Sequence, residues 1–516
     1  MSLCPQGCSG NRTASRVWKG NTLKRAGIIL LIILIPVLLF SEEYSYRTSD
    51  ILRLMDSEYL RKSTYSFDGL YYKGCSLLET LPLMEEVYEM DIRNAGSKNL
   101  LKNDDLGEYW AEALLVSEDN SSGLSLIFKD RIYHDLTQLN FKGTAMESDE
   151  LEVWLSWEGV DALKDEIENF ADHHNISIKA VEVPSPDSKL HSVVRARGDV
   201  PDLVMIQSSA VEKLVSARAV QNLGYIKTPD LIIQGTEAFT LNNKLWALPF
   251  YFDTQLIYYN RNLLDSVPSP DWTLNDMELA ARQIRERNNK IHPLAWNAYS
   301  SNWLIPFQVS FGKGELIDSK GIITVNDKAT EEALNYILDL KEEKLLSPLE
   351  RDAMDALFIA GKVGMIMSGS YAVPYFESLG LEFGVLPYPI NQMTGIPLSP
   401  LLDFKSFCMT RQTKHPILAR RFLQHMIGAG VQQRFCPALA KLPARVDVLD
   451  IPGISYGYLS LLKSTVVRGT VVPPQQIYSI YKNNMWKLLR FALSGQLSVH
   501  QTLEKGQTLM NNSIKN

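Results

Sequence analysis

Residues 242–264, NNKLWALPFYFDTQLIYYNRNLL, restrict the fold more than any other stretch of the chain. Asn242 and Asn243 are turn chemistry. The next apolar run has strand composition, and Pro249 suggests the end of a paired segment. Phe250, Tyr251 and Phe252 stand against one acid, Asp253. Residues 256–259 are apolar again, and Asn260, Arg261 and Asn262 turn the chain. The order is therefore turn, strand, hinge, second strand. Aromatic faces beside a hydrogen-bonding carboxylate suit a ligand with apolar ring faces and hydroxyl edges, such as a sugar. A strand whose aromatics are only core would read the same.

With 516 residues the chain is too long for one core, and about two to four domains are expected. A formal net charge of -7 gives no basis for nucleic-acid binding. The cysteines, Cys4, Cys8, Cys75, Cys408 and Cys436, form no C-x-x-C pair, so a zinc ribbon or a thioredoxin-type site is not indicated. Residues 1–25 are basic, 26–40 carry no polar side chain, and Ser41, Glu42 and Glu43 follow. Basic before and acidic after puts the N-terminus in the cytoplasm. The apolar run is shorter than the ~20 residues of a spanning helix, so a cleaved signal peptide is the alternative. No A-x-A site follows, and no cysteine stands just after the run. The expectation is a cytoplasmic leader over 1–25 and an uncleaved single-pass anchor over 26–41, with the rest outside the cell membrane. A buried core helix is a third possibility, disfavoured by the basic leader.

Residues 42–150 carry short apolar or alternating runs separated by turn-rich segments, which suggests a small β-rich accessory domain. It is either a spacer or a glycan binder. From 151 the rhythm changes. A strand near 152–156 leads to Val160, Leu163, Ile167, Phe170 and Ala171 on one helical face. Residues 176–183 alternate, 189–196 are helical and 203–206 form a buried strand. This is a βαβαβ unit and implies a parallel sheet. Thr273 caps a helix with Asp276 at its third position. Ala329, Ala333, Ile337 and Leu340 line another, Pro416 opens a third, and Trp486, Leu489 and Leu493 mark a fourth.

Several strings now stand in one order: KLWALPFYFDTQLIYYNRNLL; Gly198-Asp199-Val200-Pro201-Asp202-Leu203-Val204; Pro270-Asp271-Trp272-Thr273; Phe358-Ile359-Ala360-Gly361-Lys362-Val363-Gly364-Met365; and Phe383-Gly384-Val385-Leu386-Pro387. Residues 152–516 thereby resemble the family 1 extracellular solute-binding proteins, the maltodextrin-binding-protein-like group. The resemblance implies an α/β, two-lobe, type II periplasmic-binding-protein-like fold over 151–516, with each lobe discontinuous. Lobe 1 would be about 151–252 plus 384–438 and lobe 2 about 255–380 plus 442–516. The crossings are expected at 252–254, 380–387 and 437–443. The implied function is that of an ABC-importer substrate-binding protein for a carbohydrate, with separate permease and ATPase subunits as partners, no cofactor and no catalysis. Two other classes stay open, a sugar-binding sensory or adhesive protein and a glycosidase.

The resemblance also nominates a ligand set. Trp157 and Glu158 follow the first strand, and Ser208 and Ser209 end the third. Asp253 lies at the crossing. Asn302, Trp303 and Tyr371 fall where aromatics often stack on sugar, and Tyr478 and Tyr481 lie near another such place. Taken singly, each aromatic is equally consistent with core packing, and Asp253 with a structural cap. No metal site is expected: the histidines lack ligand spacing. No G-x-x-x-x-G-K-[ST] loop occurs in the sequence.

Overall fold

The computed structural model describes residues 150–515, apart from 225, 227, 229, 265–268, 270, 319–320 and 450–467, and before them 15–19, 41–55, 63–77, 84–102, 106, 113–117 and 123–145. Asn242 and Asn243 have φ of 54° and 58° and close a two-residue hairpin between Thr240–Leu241 and Lys244–Leu245. Asparagine accepts this left-handed region more readily than most residues. The chain then runs as one continuous strand, Leu248–Asn260, not as two strands with a break at the aromatics. Pro249 does not end the pairing. It sits where the register against Leu401–Met409 shifts between Pro249 and Tyr251, and a bulge tolerates a residue with no N–H to give.

This strand belongs to two sheets. From Leu248 to Thr254 it pairs antiparallel with Leu401–Met409, and from Gln255 to Tyr259 with Val363–Gly369. The hinge therefore lies at Thr254 and Gln255, inside a hydrogen-bonded strand. In the first lobe Glu150–Leu155 pairs parallel with Ser177–Glu182 and Leu203–Gln207, as the βαβαβ pattern requires. Helices Lys164–His174 and Pro186–Arg195 make the connections. In the second, His292–Trp296 pairs parallel with Leu346–Pro348 and Val363–Gly369. Helix Leu274–Arg287 begins on a full capping box: Thr273 Oγ1 accepts from the Asp276 N–H, and Asp276 accepts from the Thr273 N–H.

Two of the expected crossings fall later in the chain. Phe383–Leu386 pairs with the second-lobe half of the long strand, so the chain returns only near Ser399–Leu401. Leu442–Pro443 pairs with Tyr251 and Phe252 in the first lobe. The final crossing comes after Thr470–Val471, which pairs with Leu401 and Leu402. Pairing to the shared strand in the first case, and to that strand and then to Leu401–Leu402 in the second, holds the segment past the point where sequence suggested it left. Trp486 differs too. Helix Gln476–Leu493 buries Ile477, Tyr478, Tyr481, Met485, Leu488 and Leu489, whereas Trp486 is 41 % exposed.

The described residues within 41–145 include two antiparallel sheets. One orders Ser41–Arg47, Leu136–Ala145, Met84–Asn94 and Ser97–Lys102. The other orders Ser63–Phe67, Leu70–Ser76, Leu114–Ser117, Leu124–Phe128 and Arg131–Tyr133. Met90, Ile92, Leu139 and Phe141 of the first meet Leu115, Leu124, Leu126 and Phe128 of the second in one core. Ile417 joins that core from helix Pro416–Met426 of the first lobe, so the sandwich and the lobe are packed together. Residues 26–40 lie outside the described residues, as do Cys4 and Cys8. Among the described residues no helix is long and apolar enough to cross a membrane. Ser15–Lys19 pairs antiparallel with the outer edge of Ser177–Glu182. That placement and a cytoplasmic leader exclude each other.

Candidate functional site

A cavity of about 520 Å³ opens where the two sheets share their strand. Asp253, Thr254 and Gln255 form its floor at the hinge. Eight of the ten residues nominated from sequence line it: Trp157, Glu158, Ser209, Asp253, Asn302, Trp303, Tyr371 and Tyr478. Ser208 does not; it is fully buried. Nor does Tyr481, whose hydroxyl donates to Gln308 Oε1 at 2.9 Å within the second-lobe core. Tyr478 touches the cavity yet is only 1 % exposed, and its hydroxyl donates to Asn302 Oδ1 at 2.9 Å. It positions Asn302 and offers no open face for stacking.

Trp157 is the opposite case. It is 42 % exposed and has φ of 65°, in the left-handed region that non-glycine residues rarely occupy. Such strain costs about 1–3 kcal/mol and persists where the surroundings impose it. Here the strand Glu150–Leu155 ends and the chain must turn into the first helix, which leaves the indole at the cavity wall. Tyr371 follows Gly369 at the end of Val363–Gly369, and its ring folds back so closely that a Cβ at Gly369 would collide with it.

Asp253 is not an unengaged acceptor. Lys441 Nζ lies 3.2 and 3.1 Å from its two oxygens, and the Ser370 hydroxyl donates to Oδ1 at 3.1 Å while accepting from the Thr254 N–H. The same ammonium lies 2.8 Å from Glu158 Oε1, and the Tyr251 hydroxyl donates to the other Glu158 oxygen. Burial pushes the Asp253 carboxyl above the usual carboxylate range, opposed by Lys441 and Lys405. Burial also works against the Lys441 charge, but Asp253 and Glu158 outweigh it and hold the ammonium above the ordinary lysine value. Asp403 stands directly across the strand pair from Asp253. Like charges so placed repel, and Lys405, 2.6 Å from Asp403, offsets the pair.

Sequence reasoning missed the cationic side of the cavity: Arg351, Lys405, Lys441 and Lys482. One signal was present. Asp403 and Lys405 are the charged residues, at alternate positions, of a strand that is otherwise apolar except for Ser406, LLDFKSFCM, which aims both at one face. Gln255 was missed as well. Its side chain accepts from the Leu401 N–H at 3.1 Å and donates to the Asn302 carbonyl at 3.0 Å, tying a second crossing to the second-lobe wall.

A family model described as bacterial extracellular solute-binding protein matches residues 166–456. The chain belongs to this family. Among solute-binding relatives, the maltodextrin-binding protein MdxE of Bacillus subtilis is 22% identical over 259 residues, covering 48% of this chain and 61% of the relative. The maltotriose-binding protein of Pyrococcus abyssi is 22% identical over 222 residues, 42% of this chain and 47% of the relative. The chain thus spans about half to three-fifths of these relatives' length. The GacH receptor of Streptomyces glaucescens, solved unliganded and with acarbose, superposes with a TM-score of 0.64 at 22% identity, over 72% of this chain and 100% of that one. The maltose/maltodextrin-binding domain of Bdellovibrio bacteriovorus, bound to maltotriose, gives 0.60 at 18% identity, over 71% and 100%. Both confirm the two-lobe, type II solute-binding fold.

Proposed function

We propose that this chain is the extracytoplasmic binding subunit of an ABC importer and that its solute is a carbohydrate. The observation that carries the reading is the hinge cavity itself. Trp157, Trp303 and Tyr371 stand around it, and Asn302 and Gln207 supply hydrogen-bonding edges between them. Aromatic faces with a few fixed polar groups suit pyranose rings. The maltodextrin, maltotriose and acarbose binders among its relatives support the same class. Ligand contacts from both lobes would favour a closed arrangement by rotation at Thr254 and Gln255. The closed form would dock on a separate permease with its ATPase, and the apolar run 26–40 would hold the protein at the membrane once Ser15–Lys19 is released from the lobe edge. Binding is reversible and leaves the sugar unchanged.

Thermal unfolding of the full chain with a panel of neutral and charged saccharides tests this. A cognate sugar at about 100 times its Kd raises stability by about 2.7 kcal/mol, and small-angle scattering should show a smaller radius of gyration. No stabilisation by any saccharide, or conversion of an oligosaccharide to shorter products, would end the proposal.

A further inference from the structure

The chain as a whole is acidic, with a formal net charge of -7. Its cavity is not. Arg351, Lys405, Lys441 and Lys482 face three carboxylates, Glu158, Asp253 and Asp403. The carboxylates are all taken up within the protein: Lys441 bridges Glu158 and Asp253, and Lys405 holds Asp403. Arg351 pairs with Asp355 at 3.7 Å, outside this set, and Lys482 is left over. Among the described residues no carboxylate makes an ion pair with it, and its ammonium rests 5.4 Å from the centre of the Tyr478 ring. Burial pulls it below the ordinary lysine value, Lys405 adds to that, and Asp403 only partly opposes. Withdrawing a cation from water without a counter-ion is unfavourable, and a fold that retains one at a ligand cavity leaves an attraction for an anion unused.

The aromatic surfaces point the same way. The Lys405 ammonium is 5.1 Å from the centre of the Trp157 ring and the Arg351 guanidinium 4.4 Å from that of Tyr371. Two rings that would stack on a neutral sugar therefore already carry a cation, which a negatively charged substituent can share.

Building on the carbohydrate reading, we infer that the solute is an acidic saccharide, one bearing a carboxylate, sulfate or phosphate group, with that group seated at Lys482 and Lys405. A charge-assisted contact to a half-buried ammonium is stronger than one between neutral groups. It also explains why the floor carboxylates are locked to Lys441: left unpaired, they would repel such a ligand.

The test is calorimetric titration of the full chain with maltotriose, trigalacturonate, a sulfated unsaturated glycosaminoglycan disaccharide, a phosphorylated maltosaccharide, and inorganic sulfate and phosphate. At least one acidic saccharide should bind about tenfold or more tightly than maltotriose, as expected of a charged over a neutral hydrogen bond. The anionic group that gives the advantage identifies the acid. Its affinity should fall as salt rises, and that of maltotriose should not. Lys482→Gln should remove the advantage and Lys482→Arg should keep most of it. The salt dependence, measured on the unaltered chain, decides the matter even if Lys482→Gln does not fold. Equal or tighter binding of maltotriose, insensitive to salt and to Lys482→Gln, overturns the acidic ligand and leaves the carbohydrate reading standing. Inorganic phosphate or sulfate binding as tightly as the acidic sugars also overturns it, since the saccharide then contributes nothing. If no saccharide of any charge binds, both readings fall.

Discussion

Lys441 shows how one residue can change the meaning of its neighbours. Sequence made Asp253 a hydroxyl acceptor for a ligand. In the fold its oxygens are occupied by Lys441 and Ser370, and Lys441 is 7 % exposed between Asp253 and Glu158. Its replacement leaves two facing carboxylates buried without a counter-ion. Removing one partner of a buried ion pair costs about 3–5 kcal/mol. Lys441→Met should lower the unfolding free energy by that order in urea titrations. A loss within the ±0.5 kcal/mol of an ordinary surface change would show that the ammonium does not hold the floor together. The sign with pH follows from the raised Lys441 value. Its contribution is fully present at neutral pH, below the unfolded lysine value. It is lost only as pH climbs through the still higher folded value.

At the scale of elements, helices Lys164–His174 and Pro416–Met426 meet with titratable groups between them. Arg434 clasps the Glu166 carboxylate at 2.8 and 2.7 Å, and the His425 ring N–H donates to the Glu166 carbonyl at 3.2 Å. Phe170 packs against His174, His425 and Phe422. Burial, helped by the neighbouring Arg434 and His173, pushes His425 down to about 3. Burial and then Arg421, His173 and His425 push His174 down to about 2. Both stay neutral in the fold but take up a proton when unfolded, below about pH 6.5. Stability due to them is therefore complete above that pH. It is lost as pH falls towards 3, at up to about 1.4 kcal/mol per pH unit for each histidine. Between pH 6.5 and 4, chemical denaturation of His425→Gln should show a shallower loss of stability than the unaltered chain. Parallel slopes would mean that His425 is charged in the fold.

For the whole molecule the open arrangement is that of the leader. Ser15–Lys19 covers one edge of Ser177–Glu182 and takes no part in the parallel pairings behind it. Releasing it costs edge hydrogen bonds but leaves the lobe intact. An anchor over 26–40 would require that release, since the leader then lies across the membrane. The cysteines discriminate: Cys75, Cys408 and Cys436 are buried, so a membrane-impermeant maleimide reports on Cys4 and Cys8. With the anchor inserted, intact cells should leave the protein unlabelled and lysed cells should label it. Labelling of intact cells would put the leader beside the lobe.

The sequence by itself determined what depends on local period and local chemistry. The βαβαβ rhythm, the Thr273–Asp276 cap and the Asn242–Asn243 turn are each written in residues close along the chain, and the two-lobe plan was implied by the family resemblance. Alternation within 42–150 likewise foreshadowed strands there, but not that Ile417, far along the chain, would enter their core. Tertiary structure alone decided the rest. The exit points of the later crossings depend on pairing to strands distant along the chain. Whether Trp486 or Tyr481 faces solvent depends on which side of a helix meets its neighbours. The polarity of the cleft was least legible. Arg351, the Asp403–Lys405 pair, Lys441 and Lys482 come from separate segments, and a charge acquires its meaning only from the charges and the loss of water that the fold brings to it.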